Sequence, residues 1–308
     1  MKIGYAFRRS VFYPFQDPRG PGNELPPREV RRQYLRKVRE IGFEGIEVGL
    51  ASAGRTEAEV RELRRELEGE GVPCAAVRGG GGFAHPRVAV QNRRRVEEAI
   101  RVASWIGSNL LNMTVGTPAR DPQGPGAGGV GERVAQGSSR LATEADFEIT
   151  ARHLRAVATL AADLGVEISI ELHQHSIADN SWSCLHLLGL VDRPNVGVNP
   201  DLGNLYWNYE VPEETNEACI AALAPKAKYW HCKQLQRVHV PEVQKAYFLK
   251  VPLPDGDIDY RFAISAMVDA GYRGFLAIEG CREGDQIHRD GRSVAYCRQI
   301  LEEVGSRQ

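Results

Sequence analysis

One unit recurs along this chain: a stripe of apolar residues at helical spacing, then a glycine, then a short apolar run. It appears at Ile41-Gly42-Phe43 before GIEVGL, Glu70-Gly71-Val72 before PCAAV, Ile106-Gly107-Ser108 before NLLNM, Leu164-Gly165-Val166 before EISIEL, and Ala270-Gly271-Tyr272 before RGFLAIE. Each glycine suits the left-handed backbone position that closes a helix. The segments before them carry one apolar stripe apiece, as in Val30, Tyr34, Val38 and Ile41, or Phe147, Ala151, Leu154, Ala158, Ala161 and Leu164. Helices alternating with short, almost continuous apolar strands imply parallel β-α units whose sheet is covered on both faces.

Eight such strands can be placed, at Lys2 to Phe7, Gly45 to Gly49, Cys74 to Val77, Leu110 to Val115, Glu167 to Leu172, Val196 to Asn199, Tyr229 to Lys233 and Phe275 to Glu279. Eight is the number a (β/α)8 TIM barrel requires, and one barrel domain over residues 1–308 is the expectation. An open doubly wound sheet is the runner-up, but it calls for a glycine-rich phosphate turn after an early strand, and none appears. Two connections are long for such a fold. Gly116 to Leu141, rich in glycine and proline, follows the fourth strand and is expected either to close over substrate or to be a mobile insertion. Gln234 to Asp259 follows the seventh strand and is expected to form a wall or a contact surface.

A formal net charge of -1 gives no bulk field to attract nucleic acid or an anionic membrane. The arginines at Arg28, Arg31, Arg32, Arg36 and Arg39, and at Arg93, Arg94 and Arg95, are interspersed with glutamates and read as solvated helix faces. Six cysteines lie scattered without a CxxC pair, which fits reduced thiols better than a disulfide framework. With no signal-like apolar core at the amino terminus and no apolar stretch of membrane-spanning length, the expectation is a cytoplasmic protein. Trp105, Trp182, Trp207 and Trp230 read as core or pocket-wall residues, with Trp207 in NLYWNYE the one best placed to line a pocket.

Four of the later strands end in a metal-capable side chain: Glu171 in ISIEL, Asp201 in VGVNPDLGN, His231 in KYWHCK and Glu279 in FLAIEG. A lone carboxylate at a buried strand tip is most simply a salt-bridged barrel residue, and a lone histidine a satisfied core residue. The fourfold recurrence outweighs both readings, because buried charges are costly unless something pairs them. Strand alternation sets Ser169, Glu171 and His173 on one face, His231 and Lys233 on another, and Ala277 with Glu279 on a third, while their neighbours Ile170, Cys232 and Ile278 face the helices. In a barrel all carboxyl ends open on one side, so the four can meet around one ion. Three carboxylates and an imidazole favour manganese, with magnesium or cobalt as alternatives, over a closed zinc site. Glu47 also falls on the inner register, but a structural ion pair explains it as well as substrate binding does, and it is left outside the ligand set.

These residues carry a resemblance. GFEGIEV at Gly42 to Val48, Glu171-x-His173, Asp201-Leu202-Gly203-Asn204, His231-Cys232-Lys233, and PDGDIDY followed by GYRGFLAIEG resemble the xylose isomerase-like TIM barrels of the sugar phosphate isomerase and epimerase superfamily, over nearly the full length. The resemblance implies that Glu171, Asp201, His231 and Glu279 bind a divalent metal and that Glu171 and Glu279 also transfer protons. His173, Asn204, Lys233, Arg282 and His288 are the candidates for contacting substrate. The Asp-x-x-His pattern common among ketose epimerases is replaced by Asp201-x-x-Asn204, a departure from a standard ketohexose epimerase.

The implied chemistry is proton removal beside a ketone through an enediolate, giving isomerisation or epimerisation of a sugar. A leaving group β to the carbonyl turns the same intermediate into a lyase reaction. An inosose dehydratase or a 3-keto-C-glycoside deglycosidase is therefore the alternative, the latter with a small second subunit in some relatives. The expected partner is a small-molecule sugar or keto-glycoside, and an oligomer is expected. A DNA endonuclease-like barrel would need more convergent histidines and a basic face. A sugar-binding barrel without turnover is disfavoured by the retention of both carboxylates.

Overall fold

The computed structural model describes residues 1–6, 25–54, 56–84, 86–116, 137–207, 213–243, 245–281 and 284–305. Most of the Gly116 to Leu141 connection, Arg282 and the end of the first expected strand at Phe7 lie outside them. The eight parallel strands are β1 (Lys2–Tyr5), β2 (Gly45–Gly49), β3 (Cys74–Gly80), β4 (Leu110–Thr114), β5 (Glu167–Glu171), β6 (Val196–Asn199), β7 (Trp230–Cys232) and β10 (Phe275–Ile278). They pair in the order β6-β5-β4-β3-β2-β1-β10-β7, a nearly closed (β/α)8 TIM barrel. The helices between and after them are α1 (Arg28–Ile41), α2 (Glu57–Gly69), α3 (Pro86–Ile106), α4 (Glu144–Asp163), α5 (Ser181–Val191), α6 (Leu202–Tyr206), α7 (Asn216–Leu223), α8 (Tyr260–Asp269) and α9 (Gln286–Gly305).

The barrel closes by a different device at β6 and β7. There the ladder is reduced to a single bridge, with the Lys228 N–H donating to the Val198 carbonyl at 3.0 Å and the His231 N–H to Asn199 Oδ1 at 2.7 Å. Gly197 permits this approach, since a Cβ there would stand 2.4 Å from the Lys226 carbonyl oxygen.

Local chemistry explains where the helices begin and stop. Thr56 with Glu59 and Thr143 with Asp146 form capping boxes at the starts of α2 and α4. All five helix-closing glycines of the repeat, Gly42, Gly71, Gly107, Gly165 and Gly271, have positive φ. The stripes face inward as their spacing requires: Tyr34, Leu35 and Val38 of α1 and Phe147, Ala151, Leu154, Ala158 and Ala161 of α4 are buried. They pack on outward-facing strand residues such as Ile168, Ile170, Cys232 and Ile278 in one large core. Ala6, Ala75, Ala76, Leu110, Tyr229 and Ala277 form a smaller apolar cluster.

Four arginines of α1 pair with glutamates of its neighbour, Arg28 with Glu62, Arg31 with Glu66 and both Arg32 and Arg36 with Glu70. The long connection after β7 is an ordered antiparallel ribbon, β8 (Gln234–Val240) with β9 (Lys245–Val251). Trp230 is fully buried, whereas Trp182 is 61% exposed on α5, stacked over His186 instead of lining a core or pocket. Among the described residues no helix is long and apolar enough to cross a membrane.

Candidate functional site

Each of the four strand-end side chains is delivered by a separate element. Glu171 is the last residue of β5, His231 the middle of β7, and Glu279 follows β10 directly, its N–H bonded to the Cys232 carbonyl at 2.9 Å. Asp201 follows β6 and caps α6, with Oδ1 accepting the Asn204 N–H at 3.2 Å. All four are buried, and one ligand atom from each lies within 4.8 Å of every other. His231 Nδ1 is 3.4 Å from Glu279 Oε1, 3.5 Å from Glu171 Oε1 and 4.0 Å from Asp201 Oδ2.

Such a concentration of buried charge needs compensation. Glu171 is dressed by neutral amides: Asn112 donates to Oε2 and Asn204 to Oε1, each at 3.1 Å. Glu279 is dressed by cations, with Lys233 Nζ 3.1 Å and Lys250 Nζ 3.7 Å from Oε2. Lys233 also reaches Asp201 Oδ2 at 2.9 Å, and its carbonyl oxygen accepts the Tyr260 hydroxyl at 2.7 Å. Burial alone would depress the His231 pKa, but the carboxylates of Glu47 and Glu171 overrule it and push it up to about 10. Asp201 is raised by burial, against the opposing pull of Lys233.

Nδ1 of His231 is a buried nitrogen with no hydrogen-bond partner, aimed into a nest of carboxylate oxygens. That orphaned donor, together with three hard oxygen-bearing groups, fits a divalent cation. Glu171, Asp201, His231 and Glu279 are the residues that can hold it.

The remaining sequence candidates divide. Asn204 and Lys233 sit inside the cluster, their hydrogen bonds spent on its carboxylates. Half-buried His173 lies two residues beyond Glu171, with Nδ1 2.6 Å from the Gln174 carbonyl oxygen. His288 is exposed in the first turn of α9, its backbone N–H bonded to Asp285 Oδ1. Arg282 lies outside the described residues. Half-buried Trp207 stands at the end of α6 with Lys250 Nζ 5.5 Å from its ring centroid.

Three contributors went unread in the sequence. Asn112 and Asn199 are single polar residues in apolar strands, linked through Asn199 Nδ2 and Asn112 Oδ1 at 3.2 Å. Their inner register beside Glu171 was an available signal. Lys250 arrives from the ribbon, for which the sequence offered no register. Glu47 lies against His231, with Nε2 and Oε2 2.7 Å apart, and against Arg78, with Nη1 3.2 Å from Oε1.

Comparison with known proteins places this geometry. A family model described as a xylose isomerase-like TIM barrel matches residues 35–299. A curated 3-dehydroshikimate dehydratase from Bacillus anthracis is 26% identical over 135 residues, 41% of this chain, and the match spans 46% of that protein's length. The crystal structure of a xylose isomerase-like TIM barrel protein from Mycobacterium smegmatis in complex with magnesium superposes with a TM-score of 0.76 at 21% identity, covering 98% of this chain and 97% of the other. An L-ribulose 3-epimerase structure gives 0.73 at 15% identity, covering 99% and 96%.

Proposed function

The chain belongs to the xylose isomerase-like TIM barrel family, and on that premise we propose that it is a divalent-metal-dependent sugar isomerase or epimerase working by proton transfer beside a ketone. The observation that carries this reading is the convergence of Glu171 and Glu279 within 3.5 Å of His231 Nδ1, with Asp201 completing the donor set. Manganese is the favoured cation from the donor chemistry, and magnesium is supported by the Mycobacterium smegmatis neighbour. When bound, the cation supplies Lewis acidity toward a carbonyl and its neighbouring hydroxyl.

The protein's own groups supply the rest. One of the two carboxylates removes the proton from the carbon beside the carbonyl, and the other returns it to the opposite face or to the adjacent carbon. The ammonium groups of Lys233 and Lys250, fixed beside Glu279, stabilise negative charge as it develops on the substrate oxygens. Burial of all four strand-end groups keeps bulk water from quenching the carbanionic intermediate. A second reading, a lyase that expels a group β to the same carbonyl, is favoured by the partial match to a dehydratase.

The test is to incubate manganese-loaded protein in deuterium oxide with ketoses, inososes and 3-keto-glycosides. Deuterium beside the carbonyl with a new isomer supports the first reading, and loss of water or aglycone supports the second. Absence of exchange with every compound refutes both.

A further inference from the structure

We propose that Glu47 is a positioning residue that, together with Arg78, holds His231 in the tautomer whose Nδ1 is open to a divalent cation. This rests on the metal-dependent reading above and goes further, assigning work to a carboxylate outside the four-residue cluster. Glu47 sits in β2, 3% exposed, and its Oε2 lies 2.7 Å from Nε2 of the fully buried His231. An ionised carboxylate can only accept, so Nε2 keeps its proton against Glu47, and Nδ1, whose nearest carboxylate oxygens stand at 3.4 and 3.5 Å, is the nitrogen that gives up its proton to a cation. The opposite tautomer would face the Nε2 lone pair with a carboxylate oxygen at 2.7 Å and point an N–H into the cluster where a cation must bind.

Two further contacts bear on this choice. Asn112 Nδ2 stands 3.5 Å from His231 Nε2 and would favour a lone pair there, but at that distance it is far weaker than the short contact to Glu47. Arg78, on the adjacent strand β3, places Nη1 3.2 Å from Glu47 Oε1, an ion pair that draws on the other carboxylate oxygen and opposes rotation of the group away from the imidazole. A buried ion pair adds little stability over an apolar pair of similar volume. Orientation of a ligand is the use that the geometry gives it.

The experiment is a manganese titration of the wild type, Glu47→Ala, Glu47→Gln and Arg78→Gln, with free manganese read by electron paramagnetic resonance. It is paired with long-range proton–nitrogen correlation spectra of the zinc-loaded wild type. Glu47→Ala should weaken manganese binding about 10- to 100-fold, the range for losing such a partner. Glu47→Gln, whose amide oxygen still accepts the ring N–H, should lose less, and Arg78→Gln should lose less than Glu47→Ala. The metal-free unfolding midpoint of each variant reports whether it folds. The wild-type spectrum should show His231 protonated on Nε2 and ligated through Nδ1.

Unchanged affinity in folded Glu47 variants overturns this inference alone, as does a spectrum with the proton on Nδ1, whatever the variants do. A wild type that takes up no manganese or zinc overturns the metal-dependent reading and this inference with it.

Discussion

Asp201 divides its two oxygens between two tasks. Oδ1 caps α6, while Oδ2 faces Lys233 and accepts from Asn204 at 2.9 Å. Asparagine can still cap although it loses the charge facing Lys233, so Asp201→Asn should bind manganese far more weakly and lose less thermal stability than Asp201→Ala. Asp201→Ala should lose both functions, with a cap penalty of about 0.5–2 kcal/mol. Thermal unfolding beside a metal titration separates the two. Glu171→Gln and Glu279→Gln should also weaken manganese binding, and at saturating manganese turnover should still fall by roughly 10²–10⁴, the typical worth of a positioned proton-transfer group. Steady-state rates at saturating manganese read this, and unchanged rates would refute the proton-transfer roles. Gly203 is the small residue that lets α6 lie on Lys233, since a Cβ would meet Lys233 Cγ at 2.1 Å. Gly203→Ala should therefore destabilise by about 1–3 kcal/mol through overpacking, measured by urea unfolding.

At the scale of elements, α9 is tied to the barrel through a buried carboxyl. Asp290 Oδ2 accepts the Tyr5 hydroxyl at 3.0 Å, and a Cβ on Gly280, the residue after Glu279, would crowd Asp290 Oδ1 at 2.5 Å. Burial pushes the Asp290 pKa up to about 7, against the lowering effects of Tyr5 and Arg289. The unfolded chain releases this proton near pH ~3.9, so between pH about 4 and 7 the folded state holds a proton that the unfolded state has lost. The contribution to stability is full below that window and declines as pH rises through it. Asp290→Asn should abolish the decline, so the variant's urea midpoint relative to the wild type should rise from pH 5 to pH 8. The elements themselves were legible where one physical pattern governed them: strand alternation separated Glu171 and His231 from Ile170 and Cys232, and helix-closing glycines marked α1 to α4 and α8. The β8–β9 ribbon was not, because Val238, Tyr247 and Leu249 are exposed and its alternation points at no core. Asn112 and Glu47 carried the right register, but a lone polar residue does not disclose its partner. For Asn112 the partner was Glu171 on the neighbouring strand β5, and for Glu47 it was His231, 184 residues along the chain.

For the molecule as a whole, the candidate centre lies across the weakest line of the barrel. Glu171 and Asp201 come from β5 and β6 on one side of the reduced β6–β7 pairing, and His231 and Glu279 from β7 and β10 on the other. Without a cation, the single bridge, the Asn199 side chain and the Lys233 pair to Asp201 reach across that line. A ligand that binds only the folded state stabilises it by about 2.7 kcal/mol at a hundred times its Kd. For domains approaching this size, 1 kcal/mol moves Tm by roughly 2–4 °C. Saturating manganese should therefore raise Tm by about 5–10 °C and a chelator should reverse the rise. Because the four donors span the seam, the protection should be local as well. The Lys228 amide, which bonds across it to Val198, should exchange with solvent more slowly in the loaded protein by a larger factor than amides in the β3–β4 ladder. Equal slowing at both places would mean that the cation stabilises the fold without clamping its closure.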